Sequence, residues 1–274
     1  MKNRNKLIAA ILLVAILTLN HYLDTTNDDN STGIPETLPS KKKTATFNYL
    51  PSSTTQQIVK HNYYALSYNE KHEQAEWVAY TLDKDDIVNT NFKRPFFIKD
   101  PKVKTTSADW KNFKKSGYDK GHLCPAGDRR FSKAAFNETF YTSNVTPQKH
   151  NFNAGIWNKL EQKVRYWAKK YDHLYVVTGG VLTDAKYTTI GKENVSVPNS
   201  FFKVILDYTQ PEIKAIAFLI PHKETDKPLH DFVISIDKLE EITNIDFFPE
   251  LPDSIENKLE AATDYKNWAF GKGL

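Results

Sequence analysis

Apolar positions fall along this chain in three patterns: a nearly unbroken N-terminal run, several short runs rich in β-branched and aromatic residues, and one long segment with helical spacing. The N-terminal run, LIAAILLVAILTL from Leu7 to Leu19, follows the basic KNRNK of residues 2–6. Its length suits a signal-peptide h-region and falls short of the roughly 20 residues that span a bilayer comfortably. NHYLDTT, which comes next, offers no small-x-small cleavage site, so residues 1–23 read equally as a signal peptide or a retained N-terminal membrane anchor. Both readings predict an exported protein: periplasmic, secreted, or anchored facing outside the cytoplasm. Membrane contact is expected through this segment alone. Residues 24–46, DTTNDDNSTGIPETLPSKKKTAT, lack apolar periodicity and read as a disordered linker.

The short runs predict strands. EWVAYTL around Val78, HLYVVTGGV from His173, FFKVILDY from Phe201 and IKAIAFLIP from Ile213 are bounded by Gly, Pro or polar turns. The last two are joined by TQPE, which predicts a hairpin. In NFNAGIWNKLEQKVRYWAKKY, Ile156, Leu160, Val164, Trp167 and Tyr171 form one apolar stripe at helical spacing. SIDKLEEIT and PDSIENKLEAA read as two further helices, each opened by a capping Ser or Asp. Strands interspersed with helices, and no internal repeat, predict a single α+β domain over residues 47–274.

Composition sharpens this picture. The 274 residues include 40% hydrophobic and 13% aromatic positions, which excludes a fully disordered, collagenous or polytopic membrane chain. A single cysteine, Cys124, rules out an intrachain disulfide or a thiolate zinc cluster. The net charge of +4 hides an uneven distribution. Pro101–Asp172 holds 15 Lys/Arg against 6 Asp/Glu, whereas His222–Tyr265 holds 4 against 12. A basic middle interleaved with Tyr118, Phe131, Phe140, Tyr141 and Trp157 suits a polyanion, although an ordinary solvated surface gives the same count.

The centre of the basic stretch reads YDKGHLCPAGDRRFS, Tyr118–Ser132. His122, with Asp119 nearby, has the residue types of a catalytic base and its orienting carboxylate. Downstream, Asn153, Glu161 and Arg165 fall within an arc of roughly 120° on an unbroken helix, adjacent to the apolar stripe. An amide oxygen and a carboxylate suit a hard cation such as Mg²⁺. Arg165, one turn beyond Glu161, is placed either to pair with it or to reach a phosphate.

Taken together, YDKGHLCPAGDRR and TSNVTPQKHNFNAGIWNKLEQKVR closely resemble the DNA/RNA non-specific endonucleases, ββα-metal (His-Me finger) nucleases whose signature is Asp-Arg-Gly-His. LSYNEKHEQAEWVAYTL and NFKRPFFIKDP upstream, and VPNSFFKVILD and SIDKLEEITNIDFFPEL downstream, extend the resemblance over roughly residues 60 to 250. It implies a mixed, mostly antiparallel sheet flanked by helices, and nucleic acid as substrate. It also implies a divalent cation, Mg²⁺ or alternatively Mn²⁺ or another, held directly by Asn153. His122 would be the general base, with Glu161 holding metal-bound water, Arg94 and Arg165 steadying phosphate charge, and Asn144 ordering the site. Asp119 would fix the geometry around His122. Lys120, Arg129 and Arg130 are expected to touch substrate, though Lys120 stands where the family has Arg and lacks its bidentate fork. The implied products carry 5′-phosphate and 3′-hydroxyl ends. Two alternatives are a catalytically inactive module that captures polyanions and a phosphodiesterase for another substrate.

The remaining candidates read as structural. Cys124 in Leu-Cys-Pro is expected to be a small buried hydrophobe. Gly179 and Gly180 have no following Lys-Ser/Thr and read as a turn or close-packing site. No other histidine shows metal-ligand spacing, and His150 is the one expected to border the cleft.

Overall fold

A computed structural model describes residues 48–209 and 211–271. The chain divides into two units, Met1–Thr44 and Ala45–Leu274, and every described residue belongs to the second. The expected export segment and linker lie outside the described residues.

Strands β1 (Ile58–Lys60), β2 (Ala65–Asn69), β3 (Gln74–Asp83), β6 (His173–Gly180), β9 (Ser200–Asp207), β10 (Lys214–Pro221) and β11 (Val233–Ile234) form a seven-stranded sheet in the order β1-β2-β3-β6-β9-β10-β11. Every pairing in it is antiparallel. The four predicted strands are β3, β6, β9 and β10, and the TQPE hairpin pairs Asp207 with Lys214. Both faces of the central strands are covered, so side chains alternate between two cores rather than between core and water. In β3, Val78, Tyr80 and Leu82 enter one core, while Trp77 and Ala79 enter the other.

Helices cover both faces. Helix α1 (Lys133–Glu138) lies between β4 (Asp119–His122) and β5 (Val145–Gln148) along the chain. After β5, a turn at His150–Phe152 and a π-helical turn at Asn153–Trp157 lead into α2 (Asn158–Tyr171). Leu160, Val164 and Trp167 of α2 pack into the first core beside Leu66, Val176, Ile205 and Phe218. On the opposite face, Ile236 and Leu239 of α3 (Ile236–Thr243) and Leu259 of α4 (Asp253–Glu260) pack against Trp77, Val177 and Phe202. Burying each such large apolar side chain contributes about 1.5–3 kcal/mol. Ser235 caps α3, accepting from the Lys238 amide.

The predicted long helix departs from expectation at its start. At Gly155 the backbone leaves helical values (φ −92°, ψ −112°), and the turn around it is π-helical. A π turn inserts a residue into the 3.6 repeat, so the 120° arc expected for Asn153, Glu161 and Arg165 does not carry across it.

Strands β4 and β5 form a separate two-stranded ribbon, pairing Asp119 with Gln148 and His122 with Val145. Gly121 lets the two strands approach closely: a Cβ there would lie 2.2 Å from the Gln148 side chain, which would have to shift. A second ribbon, β7 (Thr188–Ile190) with β8 (Val195–Val197), contributes Ile190, Val195 and Val197 to a small core with Phe113 and Val145.

Candidate active site

His122 ends β4, and its ring packs against Phe97 (centroids 5.5 Å apart) and edge-on against Phe140 (5.1 Å). Its Nε2 is buried and, among the described residues, has no hydrogen-bond partner. Burial, and secondarily the Arg94 cation, push its pKa down to about 3. The exposed Arg94 lies on the same aromatic wall, with its guanidinium 5.6 Å from the Phe140 ring. Lys120, two residues before His122 and so on the same strand face, places Nζ 5.4 Å from Phe97 and 5.7 Å from Phe113.

Asn144 fixes the chain just past His122. Fully buried, it accepts from the Cys124 amide (2.8 Å) and donates to the carbonyls of Cys124 and Thr139 (3.0 Å each). Cys124 is itself a buried thiol, its pKa pushed up to about 12 by burial.

The structure gives Asp119 a different partner from the expected one. Three residues from His122 on a strand of period two, it faces the other way. Its Oδ2 lies 3.0 Å from Asn153 Nδ2, which donates to it, and 2.9 Å from His150 Nδ1. It therefore orients Asn153, not His122. With Nδ2 engaged, the Asn153 amide is held so that Oδ1 has no hydrogen bond among the described residues. A hard oxygen donor fixed by a carboxylate at its nitrogen fits a divalent cation. His150 borders this site, as expected.

Arg165 pairs with Asp128, not with Glu161: Nη1 lies 2.7 Å from Asp128 Oδ1, and Tyr80 donates to the other Asp128 oxygen at 2.9 Å. Glu161 makes no hydrogen bond among the described residues. Burial pushes its pKa up to about 7, opposed by Lys203 and Arg165. Lys203 on β9 was not foreseen. It is fully buried, with Nζ 4.8 Å from the Trp157 ring and no hydrogen-bond partner among the described residues. Burial lowers its pKa, and Glu161 opposes the shift. The sequence held one hint: a lone cation inside FFKVILDY, on a strand whose apolar neighbours are buried on both sides.

The expectation that Arg129 touches substrate is corrected. It is 2% exposed, stacks 4.7 Å from the Tyr80 ring, and donates to the carbonyls of Asp128, Tyr63 and Thr81. Its two terminal nitrogens serve backbone carbonyls, and its buried Nε has no hydrogen-bond partner among the described residues. Arg130 is half-buried and has no ion-pair partner among the described residues.

A β-ribbon feeding a helix, with the histidine on the ribbon and the asparagine at the helix entry, defines the ββα-metal nuclease fold within an α+β domain. Residues 42–254 match the DNA/RNA non-specific endonuclease family, and the chain belongs to that family. The family depends on a divalent metal. The chain is 36% identical over 204 residues to the mitochondrial nuclease EXOG of Danio rerio, covering 69% of this chain and 60% of that one. It is 34% identical over 205 residues to the mitochondrial endonuclease G of Homo sapiens, covering 69% and 68%. Nuclease C1 of Cunninghamella echinulata var. echinulata is 33% identical over 232 residues, covering 77% and 90%. The crystal structure of an EndoG/EndoGI complex, described as showing the mechanism of EndoG inhibition, contains a chain that matches with TM-score 0.68 and 28% identity. The match covers 72% of this chain and 87% of that one. The matches to EXOG of Danio rerio and Mus musculus span 60% and 56% of those proteins.

These relatives overturn the expectation of export. EXOG, endonuclease G and the Saccharomyces cerevisiae nuclease are all named as mitochondrial.

Proposed function

We propose that this protein is an endonuclease that hydrolyses phosphodiester bonds of DNA without sequence specificity, with RNA as a second substrate to be tested and Mg²⁺ as its cation. The observation that carries the reading is His122: a neutral imidazole with no hydrogen-bond partner among the described residues, walled by aromatic rings, with a cation beside it. The imidazole accepts a proton from the attacking water at phosphorus. A phosphodiester docked against Arg94 offsets that cation's field and raises the basicity of the imidazole, because a nearby anion favours the protonated form. Arg165 keeps its remaining N–H donors for phosphate while Asp128 holds its orientation. Asn144 and Asp119 act as positioning residues, one for the segment after His122 and the other for Asn153. Lys120 and Arg130 supply further positive charge for the backbone. Asn153, through Oδ1, would hold the cation directly and Glu161 would hold its bound water; when bound, the cation neutralises phosphate charge and supports the departing 3′-oxygen. Loss of that bond leaves a 5′-phosphate. Contacts to phosphate rather than to base edges account for indifference to sequence.

The test is conversion of supercoiled plasmid by the full-length protein with Mg²⁺, with EDTA, and in His122→Ala. Metal-dependent cleavage that is lost in the variant is expected. Absence of cleavage by the wild type, or full activity in the variant, overturns the reading.

A further inference from the structure

Positive charge continues from the candidate active site into a depression that the residues above do not use. Lys120 Nζ lies between Phe97 and Phe113. Phe113 closes the short turn Trp110–Phe113, and beyond it residues 109–116 and 189–193 enclose a cavity of about 630 Å³. Lys111, Lys114, Lys115 and Lys192 line it, together with Asp109 and Glu193. Both carboxylates are already engaged. Asp109 accepts from the Lys111 amide at 2.8 Å, and Glu193 accepts from Lys99 at 3.1 Å, from the Asp109 amide at 2.6 Å and from Asn112. Among the described residues, Lys114, Lys115 and Lys192 have no carboxylate partner, and all three are exposed.

The frame beneath them is rigid. Gly191 (φ +70°) lies so close to Asn112 that a Cβ would meet its Oδ1 at 2.1 Å. Phe113 and Ile190 anchor the two walls in one small core. Three unpaired cations on fixed backbone, next to a lysine that shares an aromatic wall with His122, match the repeating charge of a nucleic-acid strand.

We propose that this depression is a second binding site for the phosphodiester backbone, holding the strand that flanks the bond cleaved at His122. The inference rests on the nuclease reading and adds to it a length requirement. Substrates long enough to span both places gain affinity; a small diester does not.

The test compares wild type with Lys114→Gln/Lys115→Gln/Lys192→Gln on long duplex DNA and on bis(p-nitrophenyl) phosphate. For duplex, KM should rise about tenfold or more near physiological salt, and the slope of log KM against log salt should fall by roughly 2 to 3, about 0.9 per lost contact. Turnover of the small diester and kcat should be unchanged, and Arg at the three positions should restore both KM and slope. If wild type cleaves neither substrate, the nuclease reading fails. If wild type cleaves DNA and the triple variant keeps its KM and salt slope, the second site is overturned. An equal loss on the small diester overturns it as well.

Discussion

The imidazole of His122 packs between Phe97 and Phe140 with Arg94 on the same wall, so protonating it would bury a charge beside one of like sign. With its pKa depressed to about 3 in the fold, the unfolded chain takes up a proton that the native state refuses. The associated stability is present above the ordinary histidine range near 6.5 and is lost as pH falls towards 3. Denaturant midpoints of wild type and His122→Asn should therefore converge, or cross in the variant's favour, between pH 6.5 and 3. A difference constant over that window would refute the depressed value. Asn144 gives a second prediction. Removing its amide leaves the Cys124 amide and the carbonyls of Cys124 and Thr139 without partners in a buried place. Each such group costs about 1–3 kcal/mol, so Asn144→Ala should lose at least about 3 kcal/mol in urea unfolding and lower kcat with it. At this scale residue types were legible but partners were not. Asp119, Asn144 and Arg165 stood out in the sequence as site residues, yet which atom each holds depends on the strand face and the π turn. Arg129 looked like Arg130 until burial separated them.

The β4–β5 ribbon and the helix entry behave as one unit, because the strand presents His122 and Lys120 on one face and Asp119 on the other. Asp119 clamps the Asn153 amide across that second face, so its loss should weaken metal binding without unfolding the ribbon. Partners that orient a ligand are typically worth 10- to 100-fold in affinity. Asp119→Ala should thus bind Mn²⁺ about 10- to 100-fold more weakly in a calorimetric or paramagnetic-resonance titration, with its thermal midpoint almost unchanged. Unaltered Mn²⁺ affinity would remove Asp119 from this role. The long strands, the hairpin and the three helices were readable because period and composition agreed over eight or more residues in most of them. The ribbon was readable only through family resemblance. Asp-Lys-Gly-His has no alternation to show and contains a glycine that packs closely against the Gln148 side chain.

Across the whole molecule the sheet separates two charge regimes. α2 packs on one face, in the basic stretch, whereas the acidic α3 and α4 pack on the other. There Asp237, Glu240 and Glu260 bring carboxylate oxygens within 4.8 Å of one another, as do Asp246, Glu256 and Glu260. Burial, and then Glu240 and the other acids nearby, push Glu260 up to about 8. Burial pushes Glu240 to about 7, with its neighbours adding to the shift. A carboxyl with a raised folded pKa contributes stability that is fully present below the ordinary carboxylate range and is lost as pH rises through the folded value. Glu260→Gln should therefore match wild type in thermal midpoint near pH 4 and exceed it at pH 8, where Glu260 is fully ionised in the unfolded chain and only about half ionised in the fold. Because the substitution lies on the face of the sheet opposite α2, the salt dependence of KM for DNA should stay the same. A gain confined to pH 4 would contradict the raised pKa. A changed salt slope would mean that the acidic face is felt at the cleft, and that the sheet does not insulate the two.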